Sequence, residues 1–366
     1  MNVAGCNNLI SHSDTPQNYA ASPQTSYTQS DNNKTPISED NYSLPSAIDN
    51  YDEWKKAMYY VSDNLIEEAT FIIFDYSDEK YPLSSLMLSD ASIRSSGSIL
   101  NGVATITYKL DYKDNFKLIR ASEDSSLISK LSQENLNTFM AAKYIADSVT
   151  NYNMTDYEKE KAIHDYFVLN YRYGCDTGEN SEAYTIKGLF ENKCGYCEAY
   201  AYAYKIVADM AGLDCRIAKG TLNGTPHAWN IVKIGGEYYH LDVTGDDPVP
   251  DVEGRIIYNY FNLTDSEIAR THVYQKELSE NISCTGTHYN YYRYNNLIVD
   301  SMDELENYIN RKIDAGENTI EFYTNGFVIN SAQDIKYMFN KPIISHYEIS
   351  GNFGSQSAYT LHLTRR

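Results

Sequence analysis

The chain has 366 residues and a formal net charge of −20, from 50 acidic and 30 basic side chains. This length allows two or three domains with sizeable buried cores. The negative charge would repel phosphate backbones, which excludes nucleic acid as an expected partner. No run of 18 or more apolar residues occurs in the sequence, which excludes a membrane-spanning helix.

The first 48 residues predict a tether. After residue 6 they are rich in Ser, Thr, Asn, Gln and Pro, and burial of so few aliphatic side chains cannot repay the entropy of ordering. The preceding "VAGC", from Val3 to Cys6, resembles the lipobox of bacterial lipoproteins, in which the cysteine is lipidated. The resemblance implies an exported protein held at the cell surface by a lipid anchor at Cys6, its sole membrane contact.

Two similar segments flank the centre of the chain. In the first, apolar residues at helical spacing over 50–65 precede the strand-like runs "TFIIF" and "ATITYKLDY", which predicts a small α/β domain over 49–133. In the second, an Asp-Glu pair again precedes an apolar helix, and strand-like runs follow at 320–323, "HYEIS" and "YTLHL". We expect a second small α/β domain over 291–366 and a degenerate internal repeat.

The centre, residues 134–290, reads as helices followed by an antiparallel sheet, the α+β class. Amphipathic helices are predicted over 136–149 and 156–170, the second with a capping box formed by Thr155 and Glu158. A third helix is predicted over 196–211. Three strand-like runs follow, "CRIAKGTL", "HAWNIVKI" and "EYYHLDVT", and a Gly-Gly hairpin signal separates the last two.

The pair Cys194-x-x-Cys197 has three interpretations. A structural zinc needs four ligands, but the remaining cysteines stand alone in the sequence, at Cys6, Cys175, Cys215 and Cys284. A redox dithiol is favoured by "CGYC" at a helix start, but "AYTIKGLFENK" before it does not resemble the buried strand that such a motif needs. The third interpretation is a nucleophile with a neighbouring thiol, and it requires a base and an acid downstream.

The predicted hairpin supplies both groups. A two-residue turn at Gly235-Gly236 sets Trp229 opposite Asp242, and His227 then becomes the diagonal neighbour of Asp242 on the same face. A slip of one residue would separate them. We expect the sulfur of the nucleophilic cysteine roughly 3 to 4 Å from one His227 ring nitrogen and Asp242 about 2.6 to 3.2 Å from the other.

The stretches "CEAYAYAYKIVADMAGLDCR", "HAWNIVKIGGEYYHLDVT" and "DDP" resemble the transglutaminase-like superfamily, especially its bacterial exported branch. "KAIHDYFVLNYRY" and "YFNLTD…H" extend the resemblance to about residues 135–290. It implies a papain-like α+β core between the two small α/β units, with Cys197, His227 and Asp242 as a catalytic triad. Cys194 is then an extra residue that serves packing or redox protection.

Two positions depart from that family pattern. Gly245 stands where this branch often carries Trp, which would open the mouth of the site. Glu198 places a carboxylate directly after the nucleophile. The second oxyanion donor is not identified by the pattern, and Tyr173 and Tyr184 are candidates.

The resemblance implies acyl transfer on peptide or carboxamide carbonyls without a cofactor or metal. The substrate class is protein or peptide, and cell-wall peptides are among the candidates. Peptidase, amidase and transglutaminase activity share one triad, and hydrolysis is favoured because it needs no second substrate site. Two alternatives stay open: a surface binding lipoprotein with a vestigial site, and a CxxC thiol-disulfide oxidoreductase.

Overall fold

The computed structural model describes residues 42–86, 88, 90–175, 181–247, 254–276, 282–339, 341–351 and 357–366. Cys6 and most of the predicted tether lie outside these residues. Ser43–Arg366 form one compact unit. The α+β class is confirmed, while the division at 133 and 290 stays a prediction. Within the described part of the chain, no helix has the length and apolarity needed to cross a bilayer.

Eleven helices are present in the described residues, joined in places by short 3-10 turns. They are α1 (Tyr51–Asp63), α2 (Asp114–Glu123), α3 (Gln133–Val149), α4 (Asp156–Asn170), α5 (Ile186–Asn192), α6 (Cys197–Met210), α7 (Val243–Asp246), α8 (Asp265–Ile268), α9 (Tyr291–Tyr294), α10 (Met302–Asp314) and α11 (Ala332–Ile335). The predicted capping box of α4 is confirmed, because Thr155 and Glu158 cap each other's backbone N–H groups.

The described strands form three four-stranded sheets and one two-stranded pair. They are β1 (Ala47–Ile48), β2 (Glu68–Phe74), β3 (Ala91–Leu100), β4 (Val103–Tyr112), β5 (Arg172–Tyr173), β6 (Cys194–Gly195), β7 (Asp214–Leu222), β8 (Thr225–Ile234), β9 (Glu237–Leu241), β10 (His272–Tyr274), β11 (Ile298–Val299), β12 (Thr319–Thr324), β13 (Ile344–Gly351) and β14 (Ala358–Arg365).

The two outer sheets share one topology. Their strand orders are β1-β2-β4-β3 and β11-β12-β14-β13, and in each the first pair is parallel and the other two are antiparallel. The helices that connect the parallel pairs, α1 and α10, both have 13 residues. Different strand orders would have contradicted the internal repeat, and the shared order is what the repeat requires.

The central sheet has the order β10-β7-β8-β9 and is antiparallel throughout. The predicted hairpin is confirmed: Gly235 and Gly236 both have positive φ, and Ile234 pairs with Glu237. Helix α6 packs on β7 and β8, and the Asn230 side chain in β8 donates to the Ala201 carbonyl of α6 at 2.9 Å. This contact fixes the helix that begins at Cys197 against the strand that carries His227.

The buried apolar residues fall into one large cluster and two smaller ones. The large cluster runs from Ile48 to Tyr292, so the first outer sheet and the central helices share a continuous core. The second cluster, from Val299 to Leu363, is formed by the last outer sheet and the helices that pack on it, α10 and α11. The third is small and surrounds Trp229 in the central sheet.

Candidate active site

Cys197 is the first residue of α6. The preceding residue, Tyr196, is extended and serves as the N-cap without a side-chain hydrogen bond, and its N–H donates to the Ala183 carbonyl at 2.9 Å. Cys197 is partly exposed, whereas the other two free cysteines of the described residues, Cys215 and Cys284, are buried. The helix start therefore presents one accessible thiol, next to the positive end of the helix dipole.

The structure corrects the expectation that Cys175 stands alone, because it forms a disulfide with Cys194. The parallel pairing of β5 with β6, in which Arg172 lies beside Cys194, brings the two cysteines together. Because residues 194–196 are extended, Cys194 and Cys197 lie about 10 Å apart at a strand rise of about 3.3 Å per residue. That separation exceeds the roughly 7 Å limit for a disulfide, so the geometry does not favour a CxxC dithiol.

His227 and Asp242 lie on the same face of the hairpin, as its register predicted. The His227 Nε2–H donates to Asp242 Oδ2 at 2.9 Å, within the expected range. Strand β9 ends at Leu241, earlier than predicted, and Asp242 caps the short helix α7. Cys197 acts on the pKa of His227 both as a hydrogen-bond partner and through its charge, which places the two side chains near each other, while the expected sulfur–nitrogen distance stays a prediction. The structure thus brings together all three residues of the predicted site.

Asp242 is a buried carboxylate with all its acceptor positions filled. Oδ2 accepts from the Nε2–H groups of His227 and His272, at 2.9 and 3.1 Å. Oδ1 accepts from the backbone N–H and the hydroxyl of Thr244, at 3.1 and 2.6 Å. A carboxylate has about four lone-pair sites, so these donors satisfy it completely.

The charges of this pair are strongly coupled. Burial lowers the pKa of His227, but the hydrogen bonds to Asp242 and Cys197 outweigh it and raise that pKa to about 10. Burial raises the pKa of Asp242, but the hydrogen bonds from His227 and His272 hold it well below its usual range. The imidazolium form of His227 beside an ionised Asp242 is therefore favoured at neutral pH.

The sequence did not predict a role for His272, the histidine that ends the stretch "YFNLTD…H". The residue opens β10 and is 2% exposed. Its ring lies 5.4 Å from that of His227 and packs edge-on against Trp229 and Tyr260. No local pattern indicates this contact, because it depends on the pairing of β10 with β7.

A second histidine–carboxylate pair anchors α7. Asp246 is fully buried and accepts from His164 Nε2 at 3.2 Å and from the Tyr260 N–H at 2.9 Å. Burial raises the pKa of Asp246 to about 6, although the hydrogen bond from His164 opposes the change. This pair ties α4 to the turn that carries Asp242, four residues earlier.

Of the two candidate oxyanion donors, Tyr173 is the one on whose pKa the charges of the site are seen to act. Burial raises its pKa to about 12, and the charges of Cys197 and Asp242 act in the same direction. Its ring packs edge-on against Tyr196, while Tyr184 stacks on Tyr196. The structure therefore favours Tyr173 over Tyr184 as a group near the reacting carbonyl.

Gly245 and Glu198, the two departures from the family pattern, have different surroundings in the structure. A Cβ on Gly245 would lie 2.6 Å from the Tyr260 ring, so that ring occupies the space. Gly245 also lines a cavity of about 540 Å³ with Tyr260 and Thr271, and Cys197 is not part of that lining. Burial raises the pKa of Glu198, and the charges that act on it belong to Lys113, Lys219 and Asp90.

Two groups of described residues have ligand atoms close enough to hold a metal ion: His227 with Asp242 and His272, and His240 with Asp265 and Cys284. In the first, both histidines use Nε2–H to donate to Asp242. In the second, Nδ1 of His240 accepts from Trp229, so Nε2 carries the proton that Asp265 accepts. Hydrogen bonds thus account for the histidines and carboxylates of both groups. Cys194 is no thiolate ligand, since it is bonded to Cys175.

Comparison with known proteins gives a family match in the centre of the chain. Residues 143–243 match the family described as the transglutaminase-like superfamily. A curated relative, the uncharacterized protein YebA of Bacillus subtilis (strain 168), is 23% identical over 181 residues, which are 48% of this chain and 25% of that protein. The chain therefore spans about a quarter of the length of the curated relative that it matches.

Solved structures give more distant matches. A TGase structure is 15% identical, covers 52% of this chain and 54% of its own, and has a TM-score of 0.28. The periplasmic domain of TgpA from Pseudomonas aeruginosa is 13% identical, covers 43% of this chain and 63% of its own, and has a TM-score of 0.24. The assignment of a family therefore rests on the match of residues 143–243.

Proposed function

We propose, from the membership of residues 143–243 in the transglutaminase-like superfamily, that the chain is a thiol-dependent acyl-transfer enzyme. Cys197 is the nucleophile, His227 the base, and Asp242 the group that orients His227. The observation that carries this proposal is the line of contacts from the partly exposed Cys197 thiol to His227 and on to the buried Asp242 at 2.9 Å.

The chemistry follows from these contacts. His227 takes the thiol proton, and the Cys197 sulfur attacks a peptide or carboxamide carbonyl carbon. The carbon–nitrogen bond breaks, and His227 returns the proton to the departing amine or ammonia, which leaves a thioester on Cys197. Water then attacks the thioester, its proton passes through His227 to the sulfur, and a carboxylic acid is released. Asp242 stabilises the imidazolium in both halves.

Hydrolysis needs one acyl substrate and water, so we propose a peptidase or amidase that acts on protein or peptide. The decisive experiment incubates the protein with glutamine-containing peptides, with and without a primary amine, and follows the peptide masses. Cleavage or deamidation supports hydrolysis, and amine incorporation would show a transglutaminase. Cys197→Ala should abolish every product, whereas Cys215→Ala, which removes a buried thiol, serves as the matched control.

Iodoacetamide labelling tests the thiol without a known substrate. Near neutral pH, the wild type should be labelled fastest at Cys197, located by peptide mass, and His227→Ala should slow that reaction. If Cys197 shows no preference over other cysteines, the enzyme proposal fails and a surface binding protein with a vestigial site becomes the better account.

We assign the second oxyanion donor to Tyr173, on the electrostatic contact of its hydroxyl with Cys197. Loss of one oxyanion donor costs about 10²- to 10³-fold in kcat, so Tyr173→Phe should show a loss of this order. Tyr184→Phe is the matched control and should stay within about 10-fold of the wild type. A larger effect at Tyr184 would reverse the assignment.

The proposed location is the cell surface, with a lipid anchor at Cys6. The lipobox-like "VAGC" and the polar residues after it support this location, and so does the Cys175–Cys194 disulfide, because disulfides persist in oxidising compartments. Expression behind a lipoprotein signal sequence should place the protein in the membrane fraction, and Cys6→Ala should release it. Membrane association that survives Cys6→Ala would contradict the anchor.

A further inference from the structure

We infer that His272 is a positioning residue of the proposed reaction: it holds the Asp242 carboxylate in the orientation that His227 needs. The inference rests on the proposed function and adds a residue that the triad does not contain. His272 contacts neither Cys197 nor a substrate position in the described structure, so it acts through Asp242.

Two histidines share one acceptor atom on Asp242. His227 and His272 both donate Nε2–H to the same oxygen, Asp242 Oδ2, at 2.9 and 3.1 Å. Thr244 supplies both donors to Oδ1. A carboxylate held by four donors has no free position toward which it can turn. Removal of His272 would leave Oδ2 with one side-chain donor, His227, whose charge changes during catalysis.

The orientation of His272 itself is set by a further hydrogen bond. Its Nδ1 lies 2.9 Å from the Thr271 hydroxyl. Because an ionised carboxylate only accepts hydrogen bonds, the ring presents Nε2–H to Asp242, and the Thr271 hydroxyl donates to Nδ1. Neighbouring residues thus set the tautomer of His272, as a second group sets the tautomer of a catalytic histidine.

The shared carboxylate lies in buried surroundings. His272 is 2% exposed and packs edge-on against Trp229 and Tyr260, so water cannot easily replace its hydrogen bond. The titratable groups whose charges act on Asp242 or His272 are His227, Asp246, Tyr173, Tyr260 and His240. Among these five groups, His227 is the one that shares the Asp242 Oδ2 acceptor with His272.

His240 provides a matched control. It is also a buried histidine that contacts Trp229, with ring centroids 6.0 Å apart, but its Nε2–H donates to Asp265. Replacement of either histidine removes a buried ring beside Trp229. The replacement of His272 alone removes a donor from Asp242.

The experiment measures the rate of Cys197 alkylation by iodoacetamide against pH, in the full chain, for the wild type, His272→Ala, His272→Gln, Thr271→Val and His240→Gln. Loss of a hydrogen bond to a charged group should slow alkylation by roughly 10-fold in His272→Ala. The midpoint of the pH profile should rise, because a misaligned Asp242 stabilises the imidazolium–thiolate pair less. His272→Gln should recover most of the rate, since an amide N–H can replace Nε2–H, and Thr271→Val should fall between them.

His240→Gln should lower the melting temperature and keep the wild-type midpoint. His272→Ala and Thr271→Val, tested on an active peptide, should lose kcat with little change in KM, whereas His240→Gln should keep kcat near the wild-type value. If His272→Ala keeps the wild-type midpoint, the inference is wrong although the proposed function stands. If wild-type Cys197 is not preferentially alkylated, the proposed function itself fails. Should His272→Ala not fold, Thr271→Val decides the question: a raised midpoint supports the inference, and a wild-type midpoint contradicts it.

Discussion

The central sheet carries two histidine–carboxylate pairs that look alike and behave in opposite ways. His227 on β8 donates to Asp242, and His240 on β9 donates to Asp265, both at 2.9 Å. Both rings are buried, and both lie beside Trp229. Yet the pKa of His227 is raised to about 10, while that of His240 is lowered to about 4.

The difference lies in the surroundings of each pair. Burial lowers the pKa of both rings. For His227, a carboxylate that is 1% exposed and the Cys197 thiol outweigh burial. For His240, the carboxylate is 37% exposed and therefore more screened, and Nδ1 already accepts the Trp229 N–H. A short distance to a carboxylate thus does not by itself mark a reactive histidine.

The largest expected effect separates the two histidines by activity. His227→Gln should lower kcat by at least about 10⁴-fold, because the base of an interdependent catalytic set is lost. His240→Gln should stay within about 10-fold of the wild type. Peptide turnover and Cys197 alkylation measure both variants. Comparable losses in the two would show that His240 takes part in the chemistry.

The next effect concerns the carboxylates. Asp242→Asn should lower kcat by about 10³- to 10⁴-fold, because an amide can present N–H instead of oxygen and favour the wrong tautomer of His227. Asp265→Asn should cost less than about 10-fold, since the side-chain contacts of Asp265 go to His240 and Lys276 and not to the proposed triad. Steady-state kinetics on one peptide compare the two. An Asp242→Asn enzyme with near-normal kcat would remove Asp242 from the mechanism.

The two pairs should also have opposite effects on stability as the pH changes. The pKa of His227 is raised from 6.5 to about 10, so its contribution is complete below about pH 6.5 and is lost as the pH rises toward 10. The pKa of His240 is lowered from 6.5 to about 4. Its neutral form is favoured in the fold, so stability is lost as the pH falls from about 6.5 to 4.

Urea midpoints measured across pH check this prediction. His227→Gln should flatten the alkaline side of the stability profile, and His240→Gln should flatten the acidic side. If His227→Gln changes the acidic side instead, the assignment of charge to the two histidines is reversed.

The smallest effect is expected at Trp229, which touches both rings. Trp229→Phe should cost about 1 to 3 kcal/mol in the free energy of unfolding, from a lost hydrogen bond and lost packing. It frees Nδ1 of His240 to take a proton and so moves the folded-state pKa of His240 back toward 6.5; the acidic loss of stability should therefore become smaller and end at a higher pH. The same urea titration measures it. An unchanged acidic limb would show that the Trp229 N–H does not control His240.

The positions of the proposed catalytic residues could be predicted because they depend on features that lie close together in the sequence. The two glycines of the β8–β9 turn fix the register, and the register places His227 and Asp242 on one face. The helix start at Cys197 and the capping box of α4 likewise depend on neighbours in the sequence. Such features can be predicted because few residues decide each of them.

Contacts between distant segments could not be predicted in this way. His272 reaches Asp242 because β10 pairs with β7, with His272 beside Leu222. Cys175 meets Cys194 through the two-residue pairing of β5 with β6. Strand β3 is exposed along most of its length, so its residues show none of the apolar alternation that predicts a strand. For His272 and for the disulfide the deciding partner lies elsewhere in the chain, whereas β3 pairs with the neighbouring β4 and is missed because it is exposed.

The Cys175–Cys194 disulfide has a consequence for the maturation of the protein. It joins residues 19 positions apart, and closure of a loop of this size contributes about 3 kcal/mol by restricting the unfolded chain. The cross-link ends on β6, two residues before the N-cap of α6. A newly made, reduced chain therefore holds the start of the Cys197 helix less firmly than the oxidised one. Oxidation therefore completes the support of the helix that begins at Cys197. In a reducing compartment the chain would lack this cross-link.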